Sequence, residues 1–135
     1  MLCIEDAIHS LKWVESIGGA NTMIKRSLSN LQVIEKWESK TNWIEFLAKN
    51  KDTRSSTSIC LKIIDPWFLQ LSTDSKKEIL KSFFSLLEEK EAAYDINHYP
   101  SAPPGIRIWG GGTVETSNIE LLLPWLDWAW EYIEK

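Results

Sequence analysis

Thr57-Ser58-Ile59-Cys60-Leu61-Lys62-Ile63-Ile64-Asp65-Pro66 is the stretch on which the fold turns. Thr57, Ile59, Leu61 and Ile63 alternate with Ser58, Cys60 and Lys62, and a period of two over this length marks a strand with one well-buried face. Asp65-Pro66 ends it, since proline has no N–H to give a ladder. Further on, Gly105-Ile106-Arg107-Ile108-Trp109 repeats the alternation between glycines. Successive side chains of a strand point to opposite faces. Ile106 and Ile108 are therefore expected to face a core, with Arg107 and Trp109 on the open side.

Helical spacing surrounds these strands. From Ile4 to Ile17 the apolar residues Ile4, Ile8, Leu11 and Val14 recur at helical spacing, stopped by Gly18-Gly19. Asn21 can cap a second, longer helix with the stripe Ile24, Leu28, Leu31, Ile34 and Trp37, read as core and ending near Thr41-Asn42. Trp43 to Asp52 fits a short helix or an irregular packed turn equally well. A third helix is expected from Thr73 to Ser75 onward, with Ser75 and Glu78 at capping-box spacing, burying Ile79, Leu80, Phe83, Phe84 and Leu87 and running to about Ala92. Tyr94-Asp95-Ile96 is a candidate short strand, and Pro100-Ser101-Ala102-Pro103-Pro104 a stiff connector. After Gly110-Gly111-Gly112, Ser117 and Glu120 suggest a second capping box opening a helix with Ile119, Leu122, Leu123 and Leu126. Pro124 within it predicts a kink or break. The pattern implies an α+β fold, a two-layer unit with a small, mainly antiparallel sheet covered on one face by helices.

At 135 residues the chain is of a size for one domain, spanning 1–135. Fifteen Lys and Arg against nineteen Asp and Glu give a net charge of −4, which argues against a broad nucleic-acid-binding surface. Eight tryptophans, three of them at 125, 128 and 130, imply apolar area that the fold or a neighbour must hide. The opening Met1-Leu2-Cys3-Ile4-Glu5-Asp6 has no basic region leading into an apolar stretch, so it does not read as a secretory signal. Apolar runs such as Leu121-Leu122-Leu123 fall far short of the ~18–20 residues needed to cross a bilayer. No membrane association is expected, and a cytoplasmic location is the default. Cys3 and Cys60 lack CxxC spacing or a neighbouring histidine and read as buried, inert thiols rather than metal ligands.

Few residues offer chemistry. His9 reads as an ordinary helix residue, and His98, between Asn97 and Tyr99, as a loop stabiliser. Gly110-Gly111-Gly112 lacks both GxGxxG and a following Lys-Ser/Thr, and reads as a strand-to-helix turn rather than a phosphate loop. Arg107 is the most informative residue. A guanidinium in an apolar, glycine-flanked strand has to pair with a carboxylate or phosphate or stand exposed, and an ion pair with a nearby acid is the simpler reading.

Several ordered motifs resemble a known family. They are Ser16-Ile17-Gly18-Gly19 before the long helix, Thr53-Arg54-Ser55-Ser56-Thr57-Ser58-Ile59-Cys60-Leu61, Ile64-Asp65-Pro66-Trp67-Phe68, Ala102-Pro103-Pro104-Gly105-Ile106-Arg107-Ile108-Trp109 and Leu123-Pro124-Trp125-Leu126-Asp127-Trp128-Ala129. Together, over essentially the whole chain, they look like the C-terminal part of the phosphoserine aminotransferase family, most similar to the branch of alphaproteobacteria and some archaea. The resemblance implies the small C-terminal domain of a fold-type-I enzyme that uses pyridoxal 5'-phosphate. Such enzymes move an amino group between glutamate and 3-phosphohydroxypyruvate in serine biosynthesis, giving phosphoserine and 2-oxoglutarate. Their active site lies between a large cofactor domain and this smaller one, usually in a homodimer.

By resemblance Arg107, in a Gly-apolar-Arg motif, binds the substrate α-carboxylate. Many relatives carry a basic residue seven positions before that arginine. Pro100 stands there in this chain, and His98 is a substitute contact for phosphate only if the loop bends differently. Arg54 and Ser55 match a further motif without a definite role, and an ion pair is the plain reading of Arg54. No Lys stands in the family's Gln-Lys-x-Leu-Gly context, so no catalytic residue, no bound cofactor and no transaminase activity are expected of this chain alone. The opening residues resemble an internal segment, and an exposed apolar surface is expected around Trp109 and the terminal tryptophans. A different class of function stays open beside this one: a free-standing module that recognises a small carboxylate or a partner protein through Arg107.

Overall fold

The computed structural model describes residues 1–134. Two helices, α1 (Leu2–Ser16) and α2 (Gly19–Glu38), precede strand β1 (Ile44–Phe46) and a single 3₁₀ turn at Lys51–Thr53. Strand β2 (Ser58–Ile63) leads through the one-turn helix α3 (Pro66–Leu69) into α4 (Thr73–Glu89), and β3 (Gly105–Trp109) leads into α5 (Thr116–Glu134). The strands form one antiparallel sheet in the order β1-β2-β3.

Register explains the layer. Ile63 lies opposite Ile44, Leu61 opposite both Phe46 and Ile106, and Ile59 opposite Ile108, so one face of the sheet is a continuous apolar row. All of these residues are buried. On the other face Lys62 opposes Glu45 with a 2.7 Å ion pair, Cys60 opposes Arg107 and Ser58 opposes Trp109. Gly105 is fixed by sterics: a Cβ there would stand 1.9 Å from the Leu61 carbonyl oxygen, so only glycine lets β3 begin this close to β2.

Helices α2, α4 and α5 close the apolar face, α5 packing against both of the others. Leu80, Phe83 and Leu87 of α4 meet Ile119, Leu123, Leu126 and Ala129 of α5 in one core cluster. Each aliphatic or phenyl side chain withdrawn from water contributes about 1.5–3 kcal/mol. The tryptophans are built in by their polar handles. Trp43 stacks on Trp130 at 4.8 Å and 11° between planes. Asp127 accepts from the indole N–H groups of both Trp37 and Trp43 at 2.8 Å, while Asp65 accepts from Trp130 Nε1 at 3.0 Å and from the Trp67 amide at 2.9 Å. Two carboxylates thus satisfy three indole donors that the apolar layer could not.

Several expectations are corrected. Helix α2 begins at Gly19 rather than being capped by Asn21, because Gly18 at φ 109° reverses the chain there. Its buried residues are Ser27, Asn30 and Ile34, while Ile24 and Leu28 of the expected core stripe are exposed. Asn30 is wholly buried because the turn after β3 needs a partner: its Nδ2 donates to Gly110 O at 3.0 Å and Val114 O at 3.1 Å, and its Oδ1 accepts from Thr116 Oγ1 at 2.7 Å. Helix α1 is amphipathic in sequence yet buries none of its side chains.

The stretch from Trp43, open between helix and turn, holds edge strand β1, tied to β2 by backbone pairing that no local pattern announces. Ser72, not Ser75, caps α4 by accepting from the Ser75 amide at 3.1 Å, and the helix ends at Glu89. Tyr94-Asp95-Ile96 forms no strand; Asn97 makes a single bridge to Ile106. Helix α5 starts at Thr116 and runs through Pro124 without a break. Cys3 is exposed, against its expected burial, because α1 hides nothing, and Cys60 is half-buried. Trp130 belongs to the core, whereas Trp109, Trp125 and Trp128 are exposed as expected.

Candidate functional site

The open face of the sheet carries the chemistry. Strand alternation turns Arg107 away from Ile106 and Ile108, and an amide bond from Arg107 N to Ile96 O at 2.8 Å lays the segment before the prolines along β3. A hollow of about 400 Å³ opens at the free edge of β3, between the open face and the helix layer, lined by Ser58, Asp95, Arg107, Trp109 and Asn118 with the core residues Ile96, Ile108 and Ile119 as its apolar floor. One cation in a small concave site floored by hydrocarbon is the pattern of an anion-recognising pocket.

Two arginines show what a finished and an unfinished guanidinium look like. Arg54 lies 3.9 Å over the Phe46 ring, donates to Glu35 at 2.7 Å and to the Ala48 carbonyl at 3.2 Å, and ties α2 to the start of β2. Its expected ion pair is present. Arg107 sits 4.8 Å over the Tyr99 ring and meets Asp95 Oδ2 only at 3.3 Å. Its Nε is buried without a partner. A buried donor that makes no bond is costly, and such an atom marks a side chain arranged for something beyond the chain's own groups. Tyr99 is drawn into the same cluster, 3.3 Å from the Ser58 hydroxyl. The hydrogen bond to Ser58, and after it the Arg107 guanidinium, holds the Tyr99 phenol below its usual range.

His98 and Arg107 do not share a hollow. The histidine lines a separate one of about 330 Å³ with Lys77, Lys81, Ser85, Glu88 and Asn97, facing α4, and its Nδ1 is buried without a partner. His9 is exposed on α1. The glycine turn is held by protein groups: besides Asn30, Arg26 donates to Gly112 O at 2.6 Å and pairs with Glu115. Among the described residues no three His, Cys, Asp or Glu side chains gather as metal ligands, and no helix is long and apolar enough to cross a membrane. Sequence reading missed Ser58, Tyr99 and Asp95 as members of the cluster. The odd positions of β2 and β3 offered a signal for Ser58, but Asp95 and Tyr99 reach Arg107 only through the path of a loop.

No protein-family model matches the chain. Over 134 residues it is 42% identical to the phosphoserine aminotransferase of Methanosarcina mazei and 43% identical to that of Methanosarcina barkeri, covering 99% of this chain and 34% of each relative. The chain therefore spans about a third of the length of the curated relatives it matches. Among solved structures, a phosphoserine aminotransferase from Bacillus circulans subsp. alkalophilus superposes with a TM-score of 0.66 at 18% identity, over 90% of this chain and 30% of that one. A second, studied for radiation damage of its Schiff base, gives 0.69 at 17% identity with the same coverage. These two likenesses bear on the fold. Over its length the chain is thus similar to the C-terminal third of the archaeal phosphoserine aminotransferases, and its fold is that of the corresponding part of the solved structures.

Proposed function

We propose that the chain serves as the small, substrate-gripping domain of a phosphoserine aminotransferase and is completed by a large domain corresponding to the remaining two-thirds of its relatives. The observation that carries this reading is Arg107, a guanidinium on a rigid strand at the edge of a hollow, with an unpartnered Nε and only long contacts elsewhere. A planar fork of donors fixes both the place and the angle of a carboxylate, which suits the one group that glutamate and phosphoserine share. Orientation of that carboxylate sets which bond at the α carbon faces the reacting group, and this is how a binding residue assists chemistry. His98 is the lesser part of the reading. It lines a separate hollow with Lys77, Lys81 and Glu88, so it meets the phosphate of a substrate held by Arg107 only where the loop bends differently.

Pyridoxal 5'-phosphate, when bound in the complete enzyme, supplies the electron sink for amino-group transfer and requires a lysine amine to hold it. The hollow beside Arg107 is lined by no lysine and by one cation. Its residues suit the carboxylate end of a substrate and not the cofactor, so the chain alone is expected to bind no cofactor and to transfer no amino group. Homodimerisation belongs to the complete enzyme, and a cytoplasmic location follows from the reading as a biosynthetic enzyme.

The test is complementation. This chain, mixed with the upstream two-thirds of the Methanosarcina mazei relative, should restore glutamate-dependent formation of phosphoserine above the level of that fragment alone. Arg107→Ala should lower the restored kcat/KM for glutamate by about a hundredfold or more, the range expected when a charge-assisted two-pronged contact is lost. No restoration by a folded chain that associates with the fragment would overturn the reading.

A further inference from the structure

The Arg107 guanidinium already has a carboxylate beside it, and that carboxylate is loosely held. Asp95 Oδ2 lies 3.3 Å from Nη2, and the Asp95 main-chain oxygen 3.5 Å from the same atom. Two acceptors on one nitrogen do not make the parallel two-nitrogen grip by which a guanidinium holds a carboxylate best. Nε, which could complete such a grip, makes no bond. The Asp95 side chain is 90% exposed, so water screens its attraction to the arginine.

The backbone around Asp95 is unusual too. Glu91 at φ 54° and Asp95 at φ 51° are the two non-glycine residues with left-handed backbone among the described residues, and they bracket Ala92, Ala93 and Tyr94. All four residues from Ala92 to Asp95 line the hollow. Aspartate tolerates this conformation better than most residues do, but it is still a strained place to keep one. Directly after it the chain is pinned by the bond from Arg107 N to Ile96 O, so the carboxylate hangs from a fixed point at the mouth of the site.

We propose that Asp95 is a built-in competing counter-ion for Arg107. It neutralises one prong of the guanidinium and swings aside as the side chain turns its buried Nε, together with a terminal nitrogen, toward an incoming carboxylate. The arrangement selects ligands that offer two oxygens in one plane over anions that offer a single contact, because only the former gain more than the Asp95 contact they displace. The proposal rests on the reading of Arg107 as the carboxylate clamp.

The experiment titrates the ¹⁵N-labelled chain, assembled with the unlabelled upstream two-thirds of the Methanosarcina mazei relative, with L-glutamate and follows the Arg107 Nε–H and Trp109 indole signals in four proteins: the unaltered chain, Asp95→Asn, Glu91→Gln and Arg107→Lys. Asparagine keeps the shape of aspartate and accepts the same backbone, so Asp95→Asn should stay folded. Glu91→Gln removes one charge from the same segment without touching Arg107. Asp95→Asn should tighten glutamate by about three- to tenfold, the scale of one unit charge a few ångströms away in a watery setting. Glu91→Gln should change it by less than about twofold, and Arg107→Lys should remove the saturable shift. Equal tightening by Asp95→Asn and Glu91→Gln would reduce the effect to net charge and overturn the counter-ion role. No tightening by Asp95→Asn, with binding still lost in Arg107→Lys, would overturn that role and leave the clamp standing. Glutamate binding unchanged in Arg107→Lys, or absent from all four proteins, would overturn the clamp and the counter-ion together.

Discussion

Helices α1 and α5 carry similar apolar periodicity and meet opposite fates. Helix α5 buries Ile119, Leu123, Leu126, Ala129 and Trp130 against the sheet and its neighbours, and Asp127 in the same turn accepts from two indoles. Helix α1 touches the rest of the molecule through α2 and leaves Leu2, Ile4, Ile8 and Leu11 exposed. Periodicity specifies a helix with an apolar side, and says nothing of what covers that side. The core of this chain is closed without α1, whose apolar side stays uncovered among the described residues.

Three substitutions can break or sharpen that contrast. Trp130→Ala should have the largest effect, lowering the unfolding free energy by about 3–5 kcal/mol, because it removes the ring that Trp43, Phe68 and Phe83 all pack against. Urea denaturation followed by far-ultraviolet circular dichroism measures it. Asp127→Ala should cost about 1–3 kcal/mol by the same measurement, since two indole donors lose their acceptor at once. Ile8→Ala in α1 should change the stability of the isolated chain by less than about 0.5 kcal/mol, as at an ordinary surface position. The comparison breaks if the Ile8 variant costs as much as the Asp127 one. It sharpens if Ile8→Ala, harmless to the chain alone, weakens association with the upstream two-thirds of a relative in a pull-down titration.

The same division runs through what could be read from the sequence. Strands β2 and β3 were legible to the residue or nearly so, with Arg107 on the correct face, because a period of two is local information. Strand β1 was not, since Ile44–Phe46 becomes a strand only by pairing with a partner already in place. Helix α3 was hidden by its length of four residues, although Asp65-Pro66 is an N-cap followed by proline at the first helical position. Asn30 is the instructive miss. A polar residue on the face shared with Ser27 and Ile34 contradicts an apolar stripe, and its reason, the carbonyls of the turn after β3, lies eighty residues away in the chain. At the site, alternation exposed Arg107 and Ser58, while Tyr99 and Asp95 are brought to them by a loop whose path depends on tertiary contacts.

The stacked pair of Trp43 and Trp130 has an optical consequence. Two indoles 4.8 Å apart and nearly parallel couple their electronic transitions, and one ring stands just before the first strand while the other is near the end of the last helix. Circular dichroism in the indole absorption bands should therefore carry a paired signal that exists only while the two ends of the sheet-and-helix layer are clasped. The fold holds its own dye pair, and a spectrometer can watch the layer close without any label.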